Sequence, residues 1–296
     1  MKISRLRLVA IFVSLTLLLT LVTGSALAKP NDRKAVATQV TPKLAEFFGT
    51  YDLRSDELVT VMVELEAPSI VAAKHLGQKQ TKVTLAQERK TVTSSVTASI
   101  SSSRVKREYD YLFSGFALEL PANQLPQLVA LSGIKAVYPN VEYTVTGDHM
   151  ATFDWETRPA MMESAPFIGA NDAWDAGYTG EGIIVAIIDT GADYTHPDLT
   201  HAFGDYKGWD FVDNDADPQE TPLGDPRGDE TQHGTHVSGT VAAKGLIKGI
   251  APDASLLAYR VLGPGGSGST ENVIAGIERA VQDGADIMNL SLGNSI

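Results

Sequence analysis

The chain contains no cysteine. A disulfide framework, a zinc–thiolate centre and a cysteine nucleophile are therefore excluded. The compartment is not, because exported proteins also fold without disulfides. Positive charge is scarce too: 24 lysines and arginines stand against 36 aspartates and glutamates, a net charge of −12. That balance argues against nucleic acid or an anionic membrane as the main partner, and its ordinary reading is solubility. Beyond residue 22 no apolar run is long enough to span a bilayer, which takes about 20 residues. What the chain does have is 43% hydrophobic residues over 296 positions, enough for one to three domains with their own cores.

The amino terminus carries an address. Lys2, Arg5 and Arg7 form a positive start, residues 8–22 are apolar apart from serine and threonine, and Ala26-Leu27-Ala28 offers small residues at both positions a signal peptidase reads. Residues 1–28 read as a secretory signal peptide. An uncleaved anchor competes with that reading, but the run is short for one. Residues 29–57 form a polar lead-in with a short helix at 42–48. Residues 58–146 read as one unit: a strand at 58–65, a helix at 78–103, a strand at 113–120, a short amphipathic helix at 123–131 and a strand-rich run at 134–146. This order predicts a small α+β sandwich of the ferredoxin-like kind. Residues 147–165, charged and without a period, read as a linker holding a processing site, with an ordinary interdomain loop as the alternative.

From residue 166 the pattern changes. Residues 182–189 (GIIVAIID), 255–262 (SLLAYRVL) and 285–290 (ADIMNL) are apolar runs of buried-strand type. Helical patterns at 170–176, 233–243 and 270–283 alternate with them. Strands alternating with helices predict an α/β fold with a doubly wound parallel sheet.

Two strings in this region carry chemistry: IIDTGADYTHPDL at 187–199 and HGTHVSGT at 233–240. Asp189 closes a buried strand, the edge of an open α/β sheet where sites are built. There a carboxylate can orient a histidine and stabilise its imidazolium; taken alone, it reads equally as a cap on the following turn. His233 opens a helix whose Gly234, Ser238 and Gly239 allow close packing, and an imidazole held in this way suits a general base. His233 and His236 are also spaced i, i+3, which admits a metal, but no third ligand lies near.

Together the two strings resemble the Asp and His segments of the subtilisin-like serine proteases, the subtilases (peptidase S8), over residues 164–296. The details, SAPFIGANDAWDAGYTGEGI and LLAYRVLGPGGSGSTENVIAGIERAVQDGADIMNLSLGNS, are most similar to the minor extracellular and lactocepin-like proteases of Gram-positive bacteria. The resemblance implies Asp189 as triad acid and His233 as the base toward a serine hydroxyl. It implies Gly266, Ser267 and Gly268 as one wall of a substrate cleft and Ser291, Leu292 and Gly293 as the other. The unit at 58–146 resembles the inhibitor-type (I9) subtilase propeptide, which implies that it docks on the catalytic domain and blocks the cleft with its tail. The resemblance further implies protein or peptide substrates, a secreted, extracellular or cell-wall-associated protein, and no organic cofactor. Asp198 matches a family calcium ligand, but residues 244–248 are too short for the loop that supplies its companions. The acidic insert at 210–230, with Asp213, Asp215 and Asp217 two apart, is a second calcium candidate, against the plainer reading of a solvated loop.

The family's nucleophile segment, of Gly-Thr-Ser type, and its oxyanion asparagine are not among the 296 residues, so the chain reads as the front part of a zymogen with an incomplete sheet. The alternative is a non-catalytic module that inhibits or helps to fold a full protease. Either way, a purified polypeptide of these 296 residues is expected to leave its own 147–165 segment uncut; self-processing on a denaturing gel would contradict this.

Overall fold

The computed structural model describes residues 51–146 and 160–294. The expected signal peptide, the lead-in as far as residue 50 and the linker from 147 to 159 lie outside the described residues.

The first part of the fold begins with β1 (Leu58–Leu65), followed by α1 (Ile70–His75), α2 (Lys82–Ser99), β2 (Arg104–Tyr109), β3 (Gly115–Pro121), α3 (Leu125–Val129) and β4 (Ile134–Pro139). The helices start where short polar side chains can accept backbone N–H groups. Ser69 caps α1, and Thr81 and Thr84 form a reciprocal box at the start of α2. The strands form one antiparallel sheet in the order β2-β3-β1-β4. Val61 and Val63 lie opposite Leu118 and Phe116 on one face. Together with Leu85 and Val96 of α2 and Leu125 and Leu128 of α3, they are buried. Met62, Ala117 and Tyr109 belong to a different buried cluster.

Two features depart from the sequence-based expectation. Residues 104–109 (RVKREY) form a strand that periodicity did not suggest. It is an edge strand, its residues exposed or half-buried up to Tyr109, and charge is what blunts such an edge. The 134–146 run divides at Asn140: β4 stays in this sheet, while β5 (Glu142–Val145) joins another, lying between two short strands from the second part of the fold.

That second part opens with α4 (Met161–Phe167), which begins inside the segment read as linker, and α5 (Ala170–Asp175). Then come β6 (Ile184–Asp189), β7 (Gly208–Asp210), α6 (His233–Ala242), β8 (Ser255–Arg260), β9 (Ser267–Ser269), α7 (Thr270–Gln282), β10 (Ile287–Asn289) and β11 (Leu292–Gly293). β10, β6, β8 and β7 make a parallel sheet in that order. Both faces of the sheet are covered, which is why its strands read as continuous apolar runs. On one side Val185, Ile187, Leu256 and Ala258 pack with Val237, Val241 and Ala242 of α6. On the other, Ala186, Ile188 and Tyr259 pack with Val273, Ala275 and Ala280 of α7. Met62, Tyr109 and Ala117 join this latter cluster, so α7 is held between two sheets. The doubly wound parallel sheet and the preceding α+β unit are as the sequence led us to expect.

Phe116 is fully buried and Arg104 exposed. Phe116→Ala is expected to cost about 3–5 kcal/mol in urea unfolding, and Arg104→Ala less than about 0.5 kcal/mol.

Candidate active site

Asp189 ends β6, and its side chain is 1% exposed. One carboxylate oxygen, Oδ1, accepts the backbone N–H of Thr190 at 2.7 Å and Nδ1–H of His233 at 2.7 Å. The other, Oδ2, is buried without a hydrogen-bond partner among the described residues. Such a carboxylate fixes the imidazole ring and favours its protonated form. The hydrogen bond to Asp189 is the largest cause raising the His233 pKa above its ordinary 6.5; burial opposes it.

Glycine makes this contact sterically feasible. A Cβ on Gly234 would lie 2.0 Å from the Gly191 carbonyl oxygen and 3.2 Å from the Asp189 Cβ. Gly191 itself turns the chain at φ +114, a left-handed value suited to glycine. Thr190 Oγ1 then accepts the Gly234 N–H at 2.9 Å and ties α6 to the strand end.

In front of the histidine stands β5. It pairs antiparallel with β9, Tyr143 opposite Gly268 and Thr144 opposite Ser267, and with β11, Val145 opposite Leu292 and Thr144 opposite Gly293. The Thr146 N–H donates to the Ser291 carbonyl at 3.1 Å. The Thr146 carbonyl oxygen lies 3.2 Å from His233 Nε2. With Nδ1–H given to Asp189, Nε2 can donate to that carbonyl only as imidazolium. Gly266 borders Val145: an added Cβ would come within 3.0 Å of its Cγ2. The six residues expected to line a cleft thus sit on the two sides of one extended segment, which uses backbone pairing of the β-augmentation kind.

The first sheet is held against α7 by buried polar contacts. Glu278 Oε1 accepts the N–H groups of Tyr111, Leu112 and Phe113 at 2.9–3.0 Å. Burial raises its pKa above the usual carboxylate value, with these N–H groups opposing. Tyr109 OH donates to the Glu271 carbonyl at 2.8 Å, and Lys106 pairs with the Glu271 carboxylate at 3.3 Å. Thr270 and Glu271 receive the chain between β4 and β5: Thr270 N–H donates to the Val141 carbonyl at 3.0 Å, and Glu271 N–H to Asn140 Oδ1 at 2.9 Å.

The sequence reading missed Lys106 and Tyr109, because their strand reads as a charged surface run. It also missed Thr146 and Glu220, whose carboxylate accepts the Thr235 N–H in the first turn of α6 at 2.8 Å. A signal for Glu220 was present: Gln232, the residue before α6, is a poor cap and makes no side-chain cap bond, so an acceptor had to come from elsewhere.

The calcium candidates do not converge. Asp213 is paired with Arg260 and Arg227, Asp217 accepts from the Tyr194 hydroxyl, and Asp215 accepts the Asp217 N–H at 2.9 Å. The Asp198 carboxylate lies against Gly245 in the short 244–248 loop. Among the described residues no group of three or more His, Cys, Asp or Glu is arranged to hold a metal ion. The donor set therefore does not fit a cation whose ligands are six to eight oxygens.

A parallel sheet covered on both faces, an Asp–His pair at its carboxyl edge and a preceding domain whose tail enters the cleft define a subtilisin-like α/β fold behind an inhibitor-type domain. Comparison with known proteins agrees. Residues 180–295 match the Subtilase family and residues 62–146 match Peptidase inhibitor I9. The chain is 55% identical over 97% of its length to the minor extracellular protease Vpr of Bacillus subtilis, and the match covers 36% of that protein. It is 44% identical over 43% of its length to halolysin of Haloferax mediterranei, covering 24% of that protein. Among solved structures, fervidolysin of Fervidobacterium pennivorans, described as a keratinolytic enzyme related to subtilisin, superimposes with a TM-score of 0.53 at 22% identity, over 81% of this chain and 36% of that one. The chain thus carries a segment that matches the Subtilase family, behind a segment that matches Peptidase inhibitor I9. It spans little more than a third of the first of these relatives.

Two outcomes are expected. Because folding raises the His233 pKa, its charge-linked stabilisation is fully present below about 6.5 and is lost as pH rises through the folded value. The gap between wild-type and His233→Ala urea midpoints should therefore narrow between pH 6 and pH 9; a widening gap would contradict the assignment. Calcium or a chelator should leave the melting temperature unchanged, and a rise of several degrees with calcium would overturn the reading of the 210–230 insert.

Proposed function

We propose that the chain carries the propeptide and the acid–base half of a secreted serine endopeptidase that cleaves extended protein segments. His233 is the general base that takes the proton of a serine hydroxyl and later the acid that returns it to the leaving amine; Asp189 holds the ring and balances its charge. Gly266, Ser267 and Gly268 on one side, and Ser291, Leu292 and Gly293 on the other, pair with the backbone of the bound segment. The observation carrying this reading is the Thr146 carbonyl oxygen 3.2 Å from His233 Nε2, at the end of a strand bracketed by β9 and β11. The Thr146 carbonyl then stands where the carbonyl of the bond to be cut is expected, just ahead of the segment expected to hold the processing site. The propeptide acts as an inhibitor in the manner of a substrate.

Secretion is supported by the signal-like residues 1–28 and by the extracellular character of the Bacillus relative. Among the described residues no helix is long and apolar enough to cross a membrane. A second reading, a module that inhibits or assists a protease in trans, is favoured by the Glu278 and Glu271 contacts, which would serve equally between separate chains.

The test is hydrolysis of an extended peptide by the intact gene product. His233→Ala should lower kcat by roughly 10⁶ and Asp189→Asn by about 10⁴. Undiminished turnover in both variants would exclude the roles given to His233 and Asp189, and potent inhibition of an active homologue by the 58–146 unit, without turnover by the gene product, would favour the second.

A further inference from the structure

α6 brings its base to the site without a cap of its own. The first N–H groups of a helix have no partner inside it, and Gln232 supplies none. Two side chains from elsewhere take over. Thr190 Oγ1 accepts the Gly234 N–H. Glu220 Oε1 accepts the Thr235 N–H at 2.8 Å and the Thr235 hydroxyl at 3.0 Å, while Oε2 accepts the Thr231 hydroxyl at 2.6 Å.

Glu220 is itself held in place. Thr221 and Thr231 close the loop between them: Thr231 N–H donates to the Thr221 carbonyl at 3.0 Å, and Thr221 N–H to Thr231 Oγ1 at 2.9 Å. The buried guanidinium of Arg260, at the end of β8, donates to Thr221 Oγ1 at 2.7 Å and to Asp210 at 2.7 Å. The sheet edge, the loop and the helix amino end thus form one hydrogen-bonded chain. The Thr235 hydroxyl in turn accepts the Asp193 N–H at 2.8 Å, from the segment that follows Asp189.

We propose that Glu220 is a positioning residue for the His233 base: its carboxylate, carried in by the acidic insert, caps α6 and fixes the direction in which the ring meets Asp189 and Thr146. This rests on the reading of His233 as the base. A carboxylate at a helix amino end is also favourable to the helix dipole. The charged groups that act on the ring include Asp189 from β6 and Glu220 from the insert, and the Thr146 carbonyl faces its Nε2. Both carboxylates favour the imidazolium, Asp189 more strongly. Within the insert, Asp210 and Asp213 pair with Arg260, Asp213 and Asp225 with the surface Arg227, and Glu220 meets α6.

The test is the NMR titration of the His233 ring in the 296-residue polypeptide, which needs no catalytic turnover. Glu220→Gln keeps an oxygen acceptor but loses the charge, and is expected to lower the His233 midpoint by about half a pH unit. Glu220→Ala should lower it similarly and speed exchange of the Thr235 amide about tenfold or more. Glu230→Gln, an exposed neighbour in the same insert, should leave both unchanged, and Asp189→Asn should lower the midpoint most. If Asp189→Asn shifts the midpoint and Glu220→Gln leaves it within about 0.1 unit of wild type, the role of Glu220 is overturned while the base assignment stands. If neither substitution moves it, both fail.

Discussion

The site depends on one close approach of two backbones. At Gly234 the first turn of α6 rests against the Gly191 carbonyl, at a distance that admits no side chain. Only this seating lets the His233 ring reach a carboxylate buried at the strand end, and it is why the catalytic strings are rich in glycine and small residues. The hydrogen bond of 2.7 Å between Asp189 and His233 is its consequence. So is the ring's second contact, with a carbonyl delivered by a different part of the fold.

That delivery is the work of α7. One of its faces covers the parallel sheet, and another receives the first sheet through Met62, Tyr109 and Ala117. Glu278 gathers the N–H groups of residues 111–113, and Thr270 and Glu271 catch the chain at Asn140 and Val141. Five residues later that chain is at the histidine. Buried polar groups of this kind are costly unless satisfied, so the contacts at α7 fix not only docking but the register of β5 between β9 and β11. Register matters because a slip of one residue would turn every side chain of β5 to the other face.

Much of this was legible in the sequence. The buried strands announced themselves as apolar runs, and Asp189 and His233 stood in strings specific enough to pair before any coordinates. The segments at 266–268 and 291–293 that flank β5 were legible only through resemblance, since a glycine-rich loop and a short strand carry no periodic signal. β2 was hidden because an edge strand facing solvent is charged. Thr146 was hidden because its importance lies in where its carbonyl goes, not in its side chain. For the insert at 210–230 the sequence left a cation candidate beside the plainer solvated loop, because spacing shows carboxylates but not the arginines that meet them, and Arg260 comes from a strand 30 or more residues away in the chain.

The most direct test of the account is to identify, by mass spectrometry, the first internal cut that the intact gene product makes in its own chain. The account predicts a fragment ending at Thr146, and its absence from the His233→Ala variant. A first cut elsewhere, with the Thr146–Gly147 bond intact, would contradict the claim that β5 presents this bond to the Asp189–His233 pair.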